Sequence, residues 1–262
     1  MNCARCGNHA AAPGGELCRQ CEVAAPPLPA HPARPALPPH GAAWLRSPVG
    51  FGRAVVALLG VVIAVDLLSM WADTALLDVR GRMADGEWGA AVERDSDWAD
   101  LLVELAGGLQ MLTFFATIAV FLVWFHRVRI NAEVFDPSGH GLRRGWAIGG
   151  WFVPPVLLWF PRRIAIDCWD ASSPREKPRS HVLVNAWWTL WLISLLVREV
   201  ADRAHYGAES AAEYRSAAKQ MLFADAVEIV AAVSAVLFVL ALTRMQHDKA
   251  WSGPRVPEPV SL

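Results

Sequence analysis

The sequence predicts an all-α membrane protein with four transmembrane helices, a proline-broken hairpin, an amphipathic helix and a small N-terminal zinc ribbon. Hydrophobic residues make up 54% of the 262 positions, and 13 residues are tryptophan, which is more apolar surface than one soluble domain hides. Four apolar runs are predicted to cross a bilayer, and four of the five cysteines lie within the first 21 residues. The formal net charge is -1, so no nucleic-acid partner is expected.

Two CxxC pairs open the chain, Cys3 with Cys6 and Cys18 with Cys21. Each pair lets two thiolates converge on one tetrahedral ion, and two pairs complete a structural zinc site. We therefore predict one structural Zn²⁺ ion over residues 1–23, with a redox dithiol pair or an unfilled site as alternatives. The segment has few apolar residues, so metal binding must supply its folding energy. Reduced thiolates favour the cytosol. The segment is similar to the short zinc ribbons of many bacterial membrane proteins.

Residues 24–50 are too rich in proline for a helix or a sheet. This composition is typical of an extended, polyproline-like spacer between the ribbon and the membrane. A ligand for a proline-reading domain is the alternative.

A multi-pass membrane domain is predicted over residues 51–245. Its four apolar runs lie at about residues 51–71, 101–125, 182–197 and 222–243. We expect acidic loops on the outside over residues 74–100 and between the third and fourth spans. A disordered cytoplasmic tail is expected over residues 246–262. Four crossings place both termini in the cytoplasm, with the protein in the plasma membrane.

The apolar segment from Trp146 to Phe160 is too short to cross, since a helix of that length reaches about 22 Å against about 30 Å of hydrocarbon. Pro154 and Pro155 also break a helix. Arginine pairs flank the segment on both sides, which disfavours placing the flanks across the bilayer. We predict a re-entrant or interfacial hairpin that enters and leaves on the cytoplasmic side, with a true span as the alternative.

The hairpin is expected to pack against protein, because broken backbone is tolerated at membrane depth only where its polar groups are satisfied. A helical stripe of Trp187, Trp188 and Trp191 is its predicted partner. After Pro161 the spacing predicts an amphipathic helix at the lipid headgroups. Its apolar face carries Phe160, Ile164, Cys168 and Ala171.

Four motifs follow one another in the membrane region. They are WF-x-R-x-x-x-NA from Trp124, GWAIGGWFVP from Gly145, LWFPRRI from Leu158 and DCWDAS from Asp167. In this order they resemble the bacterial integral-membrane family known as domain of unknown function 4328, over about residues 55–244. The resemblance implies the membrane architecture and brings no established activity. The signature positions with expected structural roles are Trp124, Arg127, Asn131, Gly150, Trp151, Pro154, Pro161 and Asp167.

Asn131 and Asp167 are expected to brace the hairpin against Arg127 and Arg163. Ionisable side chains inside spans are functional candidates, because burying a charge in lipid is costly unless it is paired. Five of them are predicted to lie near the outer face: Asp66, Glu104, Arg198, Asp225 and Glu228. They form either one polar pocket for an ion, a proton or a small cation, or shallow side chains that snorkel and pair with Arg198.

Three functions fit these observations. The first is a non-enzymatic scaffold or sensor whose zinc ribbon binds a cytosolic protein. The second is a small transporter or channel that uses the acidic cluster. The third and weakest is a membrane enzyme acting on lipid through Asp167, His126 and the arginines. The lipid bilayer is a partner in each case, and a homo-oligomer is compatible with all three.

Overall fold

A computed structural model of the chain describes residues 2–4, 6–13, 15–16, 18, 21, 45–174 and 179–252. The chain divides into two compact units, Met1–Ala42 and Ala43–Leu262. Most of the predicted spacer and the last ten residues of the predicted tail lie outside the described residues. The two units are described separately.

Four long helices build the second unit: α1 (Val49–Ala84), α2 (Ala90–Phe135), α5 (Val182–Tyr206) and α6 (Ala211–Trp251). In the described part of the chain these four are long and apolar enough to cross a membrane. The prediction of a multi-pass, all-helical membrane domain is confirmed. At 1.5 Å per residue the helices are about 38 to 69 Å long, so each exceeds the roughly 30 Å of bilayer hydrocarbon.

The predicted acidic loop over residues 74–100 is mostly helix. Helix α1 continues to Ala84, a short turn contains Gly86 and Gly89 at positive φ, and α2 begins at Ala90. Ion pairs hold the two helices together beyond the apolar region: Arg80 to Asp100 at 3.0 Å and Arg82 to Asp95 at 2.7 Å. Four of the charged residues that suggested a loop are thus paired between α1 and α2.

The connection between α5 and α6 is similarly short. Helix α5 runs to Tyr206, and Ser210 begins α6 as an N-cap with a capping box to Glu213. At its other end α6 continues to Trp251, past residue 246, where the disordered tail was predicted to begin. Gln246 is 1% exposed and donates to the backbone oxygen of Val128, which explains why the helix does not end there.

The core lies where the four long helices meet, with α1 packed along α2 and α6, and α5 packed along α6. Trp124, Phe125 and Phe238 are fully buried there. On the outer surface large apolar side chains are exposed, for example Leu112 (66%) and Phe115 (61%) of α2. Such a surface is stable in lipid but not in water.

The segment between α2 and α5 contains no continuous helix over residues 146–160. It forms one helical turn, α3 (Trp146–Gly149), then turns through Pro154 and Pro155 to a 3₁₀ turn at Val156–Leu158. The expected helix break is therefore present, because neither proline can donate a backbone hydrogen bond. The alternative of a complete helical span is not supported.

The hairpin tip packs against the bundle through Trp151. Its ring centre lies 5.5 Å from that of Phe121 in α2 and 5.3 Å from that of Trp191 in α5. The tryptophan stripe of α5 is therefore the partner of the hairpin, as the sequence predicts. On the two flanks, Arg144 donates to Glu133 near the end of α2, and Arg162 donates to Asn185 near the start of α5.

Helix α4 (Phe160–Ser172) follows the hairpin and is amphipathic as predicted. Ile164, Cys168 and Ala171 are buried, while Asp170 is exposed. Lys249 of α6 donates to the carbonyl oxygen of Ala171 at 2.6 Å, so a cation satisfies a carbonyl in the last turn of α4.

Close packing of α1 on α6 depends on Gly52. A Cβ at this position would lie 2.6 Å from Thr243 Oγ1, which accepts a hydrogen bond from the Trp124 indole at 3.0 Å. Replacing Gly52 by alanine is expected to lower the free energy of unfolding by about 1–3 kcal/mol, because Thr243 already occupies the space that the added methyl group needs. Thermal unfolding of the purified protein in detergent measures the change.

Gly60→Ala is the matched control for this substitution. Gly60 lies on the same helix but is exposed, and a Cβ there meets no described atom within 4 Å. It is expected to be neutral or slightly stabilising, because alanine is a better helix former than glycine. Equal losses from the two variants would contradict the role assigned to Gly52.

Candidate functional site

The four N-terminal cysteines lie together within the first unit. Ligand atoms of Cys3, Cys6, Cys18 and Cys21 are all within 4.8 Å of one another, and the sulfurs of Cys6 and Cys18 are 3.8 Å apart. Tetrahedral coordination with Zn–S bonds of about 2.3 Å separates two sulfurs by about 3.8 Å. The cluster could therefore hold a metal ion without rearrangement of that pair.

The backbone around each pair forms the tight turn that brings two thiols together. The N–H of Gly7 donates to the oxygen of Cys3, and that of Cys21 donates to the oxygen of Cys18, both at 3.0 Å. Gly7 has φ of 66°, a left-handed conformation that favours glycine. A second link, from the N–H of Cys3 to the oxygen of His9, closes the first turn at 2.8 Å.

Local hydrogen bonds favour ionisation of the Cys6 thiol. A bond from the backbone N–H of Asn8, assisted by the His9 side chain, lowers the pKa of Cys6 to about 6. His9 Nδ1 is 4.0 Å from the Cys6 sulfur, so the histidine lies beside the four thiols rather than among them. Thiolates are the form of cysteine that binds metal.

A second polar cluster lies inside the bundle, where all four long helices contribute a side chain. Gln110 of α2 donates to Asp66 of α1 and to Asp225 of α6, each at 3.1 Å. Arg198 of α5 donates to Asp225 at 2.5 Å and to Glu228 at 2.7 Å. We call these five residues the acidic cluster.

The acidic cluster is buried but incompletely paired. Asp66 is 1% exposed and Asp225 is fully buried. One carboxylate oxygen of each, Oδ2, has no hydrogen-bond partner among the residues that the structure describes. With all three carboxylates ionised, Arg198 balances only one of three negative charges. A buried excess of charge is costly, so this arrangement favours binding of a proton or a cation.

A cavity of about 370 Å³ adjoins the acidic cluster. Asp66, Gln110 and Glu228 line one part of it, and Trp151, Trp187 and Trp191 line another. Most of the remaining wall is apolar, and it includes the hairpin residues Phe152 and Leu157. The hairpin thus helps to enclose a chamber that leads to the buried carboxylates.

The family described as Domain of unknown function (DUF4328) matches residues 90–244, more than half of the chain. The chain belongs to this family. The match begins later than residue 55, where the sequence resemblance was expected to start, so the whole of α1 and the four-cysteine segment precede the DUF4328 region. Neither the curated proteins nor the solved structures contain a match to the chain.

Several signature residues of the DUF4328 region connect helices. Trp124 donates to Thr243 of α6, and the guanidinium of Arg127 lies 4.3 Å from the ring centre of Phe51 in α1. Asn131 bonds both backbone groups of Arg46, at 2.8 and 2.7 Å, and donates to Gln246. Asn131 therefore joins the start of α1 and the end of α6, rather than bracing the hairpin as expected.

The other signature residues of the DUF4328 region shape the hairpin and α4. A Cβ at Gly150 would lie 2.8 Å from the Trp146 oxygen, so only glycine fits there without a shift. Pro154 lies in the turn after Trp151, and Pro161 is buried in the first turn of α4. Burial raises the pKa of Asp167, although the backbone N–H of Gly141 opposes this effect.

The acidic cluster differs from the predicted set at two positions. Glu104 is exposed on α2 and does not belong to the group that the structure brings together. Gln110, which is absent from the predicted set, links two of the three carboxylates. An uncharged amide inside an apolar span was the available signal, since such side chains form hydrogen bonds between membrane helices.

Proposed function

We propose that the protein is a small transporter or channel that binds a cation at the acidic cluster. One observation carries this proposal: two nearly fully buried carboxylates inside the bundle, Asp66 and Asp225, each keep one oxygen without a described partner. A protein that served only as a scaffold would gain nothing from this excess of buried charge, which destabilises the fold. The scaffold reading therefore becomes the second candidate.

Arg198 gives the site a way to release its ligand. The Arg198 side chain is 23% exposed and contacts Asp225 and Glu228, while Asp66 is linked to Asp225 through Gln110. A cation that binds Asp66 competes with Arg198 for the other carboxylates. When the bound cation exchanges with the Arg198 guanidinium, at least one of the three carboxylates stays paired with a positive charge at every stage.

Flux measurements on the full chain in proteoliposomes test the proposal. The double variant Asp66→Asn with Glu228→Gln is expected to lower pH-driven cation or proton flux to the level of protein-free liposomes, because the site loses two negative charges. Glu104→Gln is the matched control, since it removes a carboxylate from an exposed position of α2. We expect flux through the control to equal that of the unmodified protein.

Two results would overturn the proposal. One is the absence of any flux through the folded, unmodified protein above that of protein-free liposomes. The other is flux that survives the double variant unchanged.

The second candidate function is binding of a cytosolic protein by the N-terminal unit. The 3.8 Å separation of the Cys6 and Cys18 sulfurs favours a structural zinc ion there, and no catalytic role is assigned to it. Deleting residues 1–40 is expected to remove partner capture while leaving flux through the membrane domain intact. Loss of both together would show that the two units do not act independently.

In the proposed orientation the protein lies in the plasma membrane, with both termini and both flanks of the hairpin in the cytoplasm. It is supported by the arginine-rich flanks and by their attachment near the ends of α2 and α5. A cysteine at the exposed Arg179 is expected to resist a membrane-impermeant thiol reagent in intact cells. A cysteine at Asp85, in the turn between α1 and α2, is expected to be labelled; the reverse pattern would contradict the orientation.

A further inference from the structure

The cavity beside the acidic cluster has two chemically different ends. At one end Asp66 and Glu228 present carboxylates, and at the other Trp151, Trp187 and Trp191 present aromatic rings. Lining residues on α5 extend from Trp187 to Leu195, a rise of about 12 Å, and those on α1 extend from Leu59 to Asp66, about 10 Å. The chamber is therefore elongated along the helices, with charge at one end only.

The carboxylate end of the wall carries a polar atom that points to an occupant with hydrogen-bond donors. Asp66 Oδ2 is buried without a hydrogen-bond partner in the described chain, and Asp66 lines the cavity. Because most buried polar atoms in proteins are paired, this oxygen is an exception that requires an explanation. A ligand that meets the carboxylate end with N–H donors supplies its partner.

The composition of the site disfavours a divalent metal ion. Arg198 already donates to Asp225 and to Glu228, so a positive charge occupies the space between two of the three carboxylates. Metal ions such as Mg²⁺ also require several oxygen ligands or waters, and the rest of the wall is apolar. A monocation with an apolar body fits the wall and balances one of the two negative charges that Arg198 leaves unbalanced.

We propose that the cavity binds an amphiphilic organic amine in its protonated form. The ammonium group lies at Asp66 and Glu228, and the apolar body extends toward Trp151, Trp187 and Trp191. This inference rests on the proposed function, because it specifies the cation that the acidic cluster takes. The cavity volume of about 370 Å³ lies within the range of small-molecule sites.

Equilibrium dialysis of radiolabelled octylammonium against the full chain in lipid nanodiscs tests this inference. Saturable binding at one site per chain is expected, weakened about 10- to 100-fold by Asp66→Asn, since hydrogen bonds to a charged group contribute this much. Trp151→Leu is expected to weaken binding about fivefold through loss of aromatic contact. Arg203→Gln, at an exposed ion pair on α5, is the control and is expected to change nothing.

Two further probes separate the contribution of the ammonium group from that of the apolar body. Ethylammonium, which has the charge without the body, is expected to bind at least about tenfold more weakly than octylammonium. Octanol, which has the body without the charge, is expected to bind weakly and with no dependence on Asp66. Octanol binding as tightly as octylammonium would identify an acyl-chain cavity and overturn the inference.

Glu228→Gln is a second test in case Asp66→Asn does not fold. It is expected to weaken octylammonium binding as well. Octylammonium binding that is unaffected by both variants would overturn the inference. If octylammonium fails to bind while flux in liposomes still requires Asp66 and Glu228, the organic ligand is wrong and the proposed function stands. If flux is absent as well, both fail.

Discussion

Replacing Arg198 by glutamine is expected to lower the free energy of unfolding by about 3–5 kcal/mol. Arg198 is the cation that contacts Asp225 and Glu228, at 2.5 and 2.7 Å, and Asp225 is fully buried. Removing one partner of a buried ion pair leaves an uncompensated charge at low dielectric, which costs far more than an exposed pair contributes. The shift in thermal unfolding of the purified protein in detergent measures the loss.

Arg203→Gln separates this effect from the loss of an arginine as such. Arg203 lies five residues further along α5, and its ion pair with Glu199 is exposed, with 78% of the arginine side chain accessible. Because exposed pairs contribute little, we expect a change within about 0.5 kcal/mol. Similar losses for the two variants would show that Arg198 is not paired inside the bundle.

Replacing Cys18 by serine is expected to abolish stoichiometric zinc in the purified protein. Cys18 is buried and lies within 4.8 Å of the other three thiols, so a tetrahedral site loses one of its four ligands. We expect affinity to fall by more than about a hundredfold, because even partners outside the first coordination shell contribute 10- to 100-fold. Metal content measured by mass spectrometry, after dialysis against a competing chelator, reports the change.

Cys168→Ala is the control for this variant. Cys168 is buried in α4, and burial raises the pKa of its thiol, which disfavours the thiolate form that binds metal. The control is expected to retain one zinc ion per chain. Zinc retained by Cys18→Ser, or absent from the unmodified protein, would contradict the zinc assignment.

The four candidate membrane helices were predictable because each contains a long apolar stretch with few charges. The ends of the helices were not, as residues 74–100 demonstrate. Their dense charges are typical of a loop, yet Arg82 pairs with Asp78 one turn earlier and with Asp95 on the next helix. Charges that find partners at helical spacing and across a helical hairpin support the helix instead of ending it.

The acidic cluster was partly predictable for a related reason. Burying a charge in lipid costs free energy, so ionisable residues inside spans stand out in the sequence. That criterion selects Asp66, Arg198 and Asp225 correctly as neighbours. It does not reveal which side of a helix faces the bundle. Glu104 and Gln110 lie on the same helix but on different faces, so the exposed glutamate was included and the bridging amide was missed.

The hairpin shows the same division between local and long-range information. Proline chemistry at Pro154 and Pro155 predicts the break, and the tryptophan spacing in α5 predicts its packing partner. The role of Asn131 depends on residues 85 and 115 positions away in the chain, Arg46 and Gln246, so no local pattern identifies it.

In the proposed cation site, Arg198 balances part of a buried excess of negative charge. Unfolding of the double variant Arg198→Gln with Asp225→Asn tests this balance most directly. If the two side chains pair inside the bundle, removing the second charge restores about 1–3 kcal/mol relative to Arg198→Gln alone. A double variant that is no more stable than Arg198→Gln, with the two losses simply adding, would contradict the account.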